Sequence, residues 1–341
     1  MKRPYELAEA VLQEGEVTAK VQGVPNQFTS IDLYGSSALE NVTSGGCDKC
    51  FHLENESGTG NITLYRVFPG VELVYNDMHM AYCNKNQQPA PNVMEINYCK
   101  EGRSECLFGT DQYCYMSAGD LSFCSLHNNA HQSEFPTIHY HGITVTIDFS
   151  AIAWEMQKVL ELLNVDMERI HRLSQENQFT IIRADPMIEH IFSELYEVPT
   201  PVRRGYIRVK ILELLLILTG LTPAEQTEKH ACFPAAQIAT VKRLHAFLVA
   251  HIDEHYTIDA LAERFQLSPT VLKKCFRGVY GEPVYAYMKR YRLQAAAQML
   301  RETEFTVGEI AARIGYLNQN KFSSAFCEVY GVPPTVYRKK V

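Results

Sequence analysis

Apolar and polar positions alternate in short runs through the first 150 residues. Ile62 to Phe68, Val71 to Tyr75 and Val93 to Cys99 are rich in Val, Ile, Tyr and Phe, and clusters of Gly, Asn, Pro and Asp separate them, which predicts strands joined by turns. Cys114 to Met116, Leu121 to Ser125 and Ile143 to Phe149 read the same way. In the last of these, Ile143, Val145, Ile147 and Phe149 face one way and Thr144, Thr146 and Asp148 the other. Many short strands with turn signals predict a sandwich or barrel, whose interior is either a cavity or a packed core.

The period changes after Ser150. Ala151 to Leu163, Glu168 to Glu176, Ile188 to Tyr196 and Pro201 to Leu218 have helical spacing of apolar residues. Asp185 caps the third helix and Pro186 fills its first position. Gly220 follows the fourth, which carries Ile207, Ile211, Leu214, Leu215 and Leu218 as a wide apolar stripe, either core or a dimer seam. A polar segment bracketed by Pro223 and Pro234 reads as a linker, and everything beyond it is helical in pattern.

That last region contains a weak repeat about fifty residues apart. One copy runs from Leu261-Ala262 through Ser268-Pro269 and Phe276 to Tyr280-Gly281-Glu282-Pro283. The other runs from Ile310-Ala311 through Asn318 and Phe326 to Tyr330-Gly331-Val332-Pro333, with one extra residue at its turn. Each reads as a helix-turn-helix. In the first, a helix over 258–265, begun by Thr257 or Asp259, leads through Gln266 and Leu267 to a second helix capped by Ser268. Leu272, Phe276 and Val279 form its buried face, and Thr270, Lys273, Lys274 and Arg277 point outward. In the second copy, a helix over 307–314 leads through Gly315 to one beginning near Asn318. There Phe322, Phe326 and Val329 are the expected buried stripe, and Gln319, Asn320, Ser323 and Ser324 face out.

Gln and Asn can bond adenine edges in pairs, and Lys reaches guanine or phosphate, so the outward residue types suit double-stranded DNA. A helix over 283–302 connects the copies and spans about 30 Å. Two recognition helices at that separation can enter successive major-groove turns, roughly 34 Å apart.

Charge supports the assignment to the C-terminal part alone. Residues 234–341 carry 15 Lys+Arg against 9 Asp+Glu, a net of +6, within a chain of net charge −7. The remaining 233 residues therefore sum to −13. A basic region fused to an acidic one implies an anionic partner for the former. The N-terminus lacks the apolar run of a signal peptide, and Ile211 to Leu218 is too short to span a bilayer. We therefore expect a soluble, cytoplasmic protein with no membrane partner. Ten cysteines are spread along the chain and are expected as reduced thiols. Cys47-x-x-Cys50 lacks a second pair at zinc-finger spacing.

Leu261-Ala262, Ser268, Leu272, Phe276, Tyr280-Gly281 and Pro283, with the segment 290–297, Ile310-Ala311, Gly315-Tyr316, Phe322, Phe326 and Gly331-Val-Pro-Pro334, resemble the AraC/XylS family of bacterial transcription regulators. The resemblance covers about residues 237–337. It implies base readers at Thr270, Lys273 and Lys274 in the first unit and at Gln319, Asn320, Ser323 and Ser324 in the second. Ser324 departs from the basic residue common there, and Leu317 from a polar one, which shifts base reading toward the first unit.

Glu95-Ile-Asn-Tyr-Cys99, Gly102-Arg103 and Ala118-Gly119-Asp120 resemble the family's sensor and imply a cupin-like β-barrel. The expected fold class is α+β: a barrel over 1–150, a helical dimerisation segment over 151–221, a linker over 222–234 and an all-α DNA-binding domain over 235–341. The resemblance further implies a small-molecule effector, a homodimer and contact with RNA polymerase, and no cofactor. Ile96 and Tyr98 share a strand face that either lines a pocket or fills the core.

Two enzyme readings compete. A cupin-type metal enzyme would use His139-x-His141, which share a strand face, but no carboxylate follows at short spacing before Asp148. A DNA-repair methyl acceptor would need a reactive cysteine, for which Cys47 and Cys50 are the one hint. A nucleoid-type binder, the third reading, has no use for a large acidic domain.

Overall fold

The computed structural model describes residues 28–41, 48–84, 90–108, 111–126, 132–176, 179–221 and 232–340. They form two compact units, one from residues up to 108 and from 116 to 221, the other from 111 to 115 and from 232 to 340. The architecture is α+β, sheet-rich first and helical second. Cys47 and residues 222–231 of the expected linker lie outside the described residues; its last two residues, Phe233–Pro234, form a short strand.

The strands in chain order are β1 (Ala38–Asn41), β2 (Lys49–Asn55), β3 (Gly58–Phe68), β4 (Val71–His79), β5 (Tyr82–Asn84), β6 (Ala90–Gly102), β7 (Ser104–Phe108), β8 (Gln112–Met116), β9 (Leu121–Leu126), β10 (Gln132–Glu134), β11 (Tyr140–Asp148), β12 (Thr180–Ile182) and β13 (Phe233–Pro234). Four helices follow β11 in the first unit: α1 (Trp154–Leu162), α2 (Met167–Glu176), α3 (Pro186–Glu197) and α4 (Arg203–Gly220). Asp185 caps α3 as expected, its carboxylate accepting from the amides of Met187 and Ile188, with Pro186 at the first position.

Among the described residues the main sheet is eight-stranded and runs β1-β2-β3-β4-β11-β6-β9-β12. Its pairings are antiparallel, so opposed residues share a face. One face carries Leu73, Ile96, Tyr98, Phe123, Ile143, Val145 and Ile147 and packs against α1 to α4 through Leu160, Ile170, Phe192, Ile211 and Leu214. Tyr98 stacks on Phe192 with ring centroids 4.4 Å apart, so Ile96 and Tyr98 fill this core.

The other face is buried as well, although alternation gives it polar residues. Thr144 Oγ1 donates to Asn97 Oδ1 at 2.7 Å and accepts from Asn76 Nδ2 at 2.9 Å. A 3-10 helix at Ser30–Ser37 supplies Ser30, whose hydroxyl lies 2.6 Å from Thr146, and Tyr34, which donates to Asn76. Buried polar groups are tolerable when bonded in this way. Among the described residues Ser122 Oγ, on the same face, has no hydrogen-bond partner.

The Ala118-Gly119-Asp120 segment has a structural task. Asp120 is buried; it accepts from the amide of Ser117 at 2.7 Å and from that of Ala184 at 3.2 Å, and it pairs with Arg183. Gly119 has φ +87°, and a Cβ there would lie 2.8 Å from the Cβ of Ala184.

Candidate nucleic-acid interface

The second unit is built from α5 (Ala235–Ala250), α6 (Ile258–Arg264), α7 (Pro269–Tyr280), α8 (Val284–Glu302), α9 (Val307–Arg313), α10 (Gln319–Tyr330) and α11 (Pro334–Lys340), with β13 pairing the Tyr113 end of β8. Helices α6–α7 and α9–α10 are the two helix-turn-helix units.

Thr257, rather than Asp259, caps α6 by accepting from the amide of Ala260. Gln266 turns the chain with φ +54°. Ser268 then caps α7, its hydroxyl accepting from the Val271 amide at 3.3 Å, and Pro269 occupies the first position with its φ already set. Gly281 closes α7 in the left-handed conformation, its amide donating to Arg277 O at 2.8 Å. The second unit repeats the scheme with other residues. Thr306 and Glu309 form a capping box on α9, and the bonds from Thr306 hold the Glu309 carboxyl below its ordinary range. Asn318 caps α10, its side-chain oxygen accepting from the amides of Asn320 at 2.8 Å and Lys321 at 3.2 Å.

Each unit has its own core. Leu261, Leu272, Phe276, Val279 and Tyr280 pack with α5 and with Tyr287 of α8. Ile310, Ile314, Phe322 and Phe326 pack with Leu293, Ala296, Ala297 and Leu300, the later part of α8. Val329, expected inside, is 52% exposed. Tyr330 takes the inward position instead, stacked on Phe326 and packed against Tyr337 of α11, because helix α11 covers that side of α10.

The outward residues are largely where the sequence puts them. Thr270, Lys273, Lys274 and Arg277 are exposed on one side of α7, and among the described residues none of the three cations is in an ion pair. With Phe233 and Gly278 they border an open concavity of about 470 Å³. Gln319, Asn320 and Ser324 are exposed on α10, while Ser323 is half-buried. Gly308 makes room for Gln319: a Cβ there would lie 3.0 Å from Gln319 Oε1. Leu317 is fully exposed just before α10.

Arg292 was not among the sequence candidates. It is buried on α8, and its guanidinium donates to Ile252 O at 2.8 Å and Glu254 O at 2.6 Å. His255, in the loop so held, lies 2.7 Å from Gly315 O at the turn of the second unit. A Cβ on Gly315 would meet Asp253 O at 2.6 Å. The loop before α6 therefore touches the turn before α10, which fixes one unit against the other. The only sequence signal is a lone Arg on the apolar side of α8.

His139 and His141 have different partners. His139 Nε2 lies 3.4 Å from Glu101 and just ahead of β11, while His141, within β11, meets Tyr196 edge-on. Only His141 is within the strand, but Glu101 is the residue opposite it on β6, so both histidines lie on that side; among the described residues no group of three or more His, Cys, Asp or Glu side chains is placed to hold a metal ion.

The expected reduced state fails for one pair of cysteines. Cys114 and Cys232 form a disulfide across a separation of 118 residues, which the β8–β13 pairing brings together and spacing along the chain conceals.

A family model described as a helix-turn-helix domain matches residues 261–340. The chain is 33% identical over 101 residues to the regulatory protein SoxS of Escherichia coli K12, covering 30% of this chain and 94% of that one. It is 25% identical over 164 residues to the HTH-type transcriptional activator RhaR of Mannheimia succiniciproducens, covering 48% of this chain and 57% of that one. A putative AraC-like transcription regulator of Streptomyces lividans is 36% identical over 84 residues, 25% of this chain and 28% of that one. The chain thus spans about half the length of RhaR and less of the Streptomyces protein. Among solved structures it is similar to the C-terminal domain of AraT, a response regulator from Geobacillus stearothermophilus, at 31% identity over 30% of this chain and 85% of that one, with a TM-score of 0.29. With its paired helix-turn-helix units and a match along nearly the whole of SoxS, the chain belongs to the AraC/XylS family of transcription regulators.

Proposed function

We propose that this chain is a sequence-specific, cytoplasmic DNA-binding transcription regulator that reads promoter DNA through Thr270, Lys273, Lys274 and Arg277 of α7 and Gln319, Asn320, Ser323 and Ser324 of α10. One observation carries this reading: two capped recognition helices present unpaired polar side chains from a single unit, joined by a helix of 19 residues. That helix is about 28 Å long, close to one turn of duplex DNA. Leu317, bare at the entry to α10, suits an apolar contact with a thymine methyl. Footprinting across the upstream DNA tests the reading. Two protected major-groove turns per protomer are expected, and equal binding to random DNA with no footprint would defeat it.

The sheet-rich unit supports effector sensing. Its polar layer of buried Asn76, Thr144, Thr146 and Ser122 with half-buried Asn97 offers hydrogen bonds suited to a small polar molecule. Such an effector raises the melting temperature of the wild type and loses that effect in Thr144→Val; a variant that responds equally excludes this layer. On α4, Val202 just ahead of the helix, Val209 and Leu216 are exposed at intervals of seven, the spacing of a seam between helices, which supports a homodimer. Sedimentation of Val209→Glu tests it: an unchanged mass excludes the seam. Contact with RNA polymerase follows from the regulator reading, and transcription with purified polymerase, with and without this protein, measures it.

A further inference from the structure

The Cys114–Cys232 bond belongs to the unit that holds both helix-turn-helix motifs. It ties a segment that lies, in sequence, among the strands of the sheet-rich region to the residue just ahead of β13. The ribbon it clips is short: Tyr113 opposes Phe233 and Gln112 opposes Pro234, and the amide of Ala235 donates to Asp111 O at 2.7 Å. The ribbon also lies against the first recognition helix. Tyr115 and Phe233 enter the core of that helix-turn-helix unit. A Cβ on Gly278 of α7 would lie 2.4 Å from the Phe233 ring. Phe233, one residue from the bond, walls the concavity bordered by Thr270, Lys273, Lys274 and Arg277.

Disulfides of cytosolic proteins are usually transient and redox-sensing rather than permanent staples. The two sulfurs here are unequal in access, since Cys114 is fully buried and Cys232 is half-buried. An incoming thiolate therefore has one point of attack and one leaving group.

We propose that Cys114 and Cys232 are a thiol–disulfide modification site that sets the DNA affinity of the first helix-turn-helix unit, with a small thiol such as glutathione as its chemical partner. The proposal rests on the reading of the chain as a cytoplasmic DNA-binding regulator. A glutathione thiolate attacks Cys232 Sγ, the bond to Cys114 breaks, and Cys114 leaves as a thiolate that takes up a proton. A second glutathione thiolate attacks the mixed disulfide, releasing the Cys232 thiolate and oxidised glutathione. Two reduced glutathiones are consumed, one oxidised glutathione is formed, and the protein gains two thiols. The reverse exchange closes the bond.

With the bond closed, the ribbon is held beside α7 with Phe233 at the edge of its reading face. A major groove roughly 12 Å wide admits a helix or a two-stranded ribbon, and the clipped ribbon competes with α7 for that width. With the bond open, the ribbon is retained by non-covalent contacts alone: the short pairing, the Ala235–Asp111 hydrogen bond and the packing of Tyr115 and Phe233. The closed form is the weak binder.

The full chain, equilibrated with excess oxidised or reduced glutathione, is acid-quenched, alkylated under denaturing conditions and mapped by mass, and the affinity of the folded chain for the footprinted duplex is measured in each state. Cys114 and Cys232 should be protected from alkylation only in the oxidised sample. Affinity should rise about tenfold on reduction, a usual size for coupling between two sites. Cys232→Ser, which keeps the other free thiols, should bind like the reduced wild type under both conditions. A bond that never forms, or that survives excess reduced glutathione, overturns the proposal. So do equal affinities of the two forms, or a Cys232→Ser variant that still responds to oxidant. Failure to bind any duplex in either state would instead remove the regulator reading, and the alkylation result still decides whether the bond is labile.

Discussion

The two helix-turn-helix units share a skeleton and differ in what they turn outward. Both end their second helix with a Tyr-Gly pair in which the glycine is left-handed, and both pack a tyrosine seven residues further on against the first: Tyr287 on Tyr280 at 5.1 Å and Tyr337 on Tyr330 at 5.2 Å. The outward faces part company. The first offers Lys273, Lys274 and Arg277, the second Gln319, Asn320 and Ser324. Internal packing and capping can be held in common while surface chemistry is free to vary, because outward positions contribute little to stability. On the proposed reading the first unit, with three exposed cations, is the better equipped to attract a polyanion, and the second, with Lys321 as the one exposed cation of its recognition helix, to discriminate among bases by amide geometry.

The sharpest way to break the comparison is to ask whether the two cores are as separate as their packing. Phe276 and Phe326 are both fully buried, each in its own cluster. Truncating either to alanine should cost about 3–5 kcal/mol. Hydrogen exchange should then show Phe326→Ala loosening α9 to α11 well before α5 to α7, and Phe276→Ala the converse. Uniform loosening in both variants would make the two units one cooperative body held by α8.

Acid separates the units next. His245 of α5 stacks on Tyr280 at 4.4 Å, and its Nε2 lies 2.8 Å from the Tyr287 hydroxyl. Burial lowers its pKa to about 4. The unfolded chain, with an ordinary histidine near 6.5, therefore takes up the proton first as pH falls. Stability from this group is complete above about pH 6.5 and declines down to about pH 4, a loss of roughly 3 kcal/mol at 1.36 kcal/mol per unit. No histidine occurs in residues 293–341, so the second core lacks this liability. Exchange measured at pH 7 and pH 4.5 should show the first core opening preferentially, and His245→Gln should flatten the difference. An unaltered pH profile in that variant would move the cause elsewhere.

DNA contacts distinguish the units by mechanism rather than size. Lys273→Ala and Gln319→Ala should each weaken discrimination by roughly 1–3 kcal/mol if they read bases. Only the lysine carries charge, so its removal should also lower the salt dependence of binding by about one counterion, while Gln319→Ala leaves that slope unchanged. Equal loss on specific and random duplexes for Lys273→Ala would make it a phosphate contact.

Much of this was legible in the chain, and the failures have physical causes. Helices α3, α7 and α10 were readable because their caps, Asp185, Ser268 and Asn318, are local and act on the next few amides. Of the strands, β11 was readable by alternation, but alternation does not say that its Thr face is also buried; that depends on Ser30 and Tyr34 arriving from more than a hundred residues away along the chain. The three-residue strands β5 and β10 are too short to show a period, and β7, although as long as β8, has no apolar alternation in Ser104–Phe108. Val329 was misplaced because a period of 3.6 admits either position 329 or 330, and only α11 decides between them. The Cys114–Cys232 pair was invisible for the same reason as Ser30: the pairing partner is remote in sequence.

The smallest expected difference lies in the caps of the two recognition helices. Asn318 accepts two amides, at 2.8 and 3.2 Å, whereas Ser268 accepts one at 3.3 Å. Replacing a capping side chain by alanine typically costs about 1 kcal/mol, through amides left unbonded at the helix start. In α7 the first position is Pro269, which has no amide proton to strand and holds its φ unaided. Ser268→Ala should therefore fall near the lower end of the range, about 0.5 kcal/mol, and Asn318→Ala nearer 1 kcal/mol or above. Chemical unfolding of the free protein reads both without interference from DNA. Equal costs would mean that the amides freed at Asn318 find water as readily as the single one at Ser268, and that the second cap contributes no more than its exposed position allows.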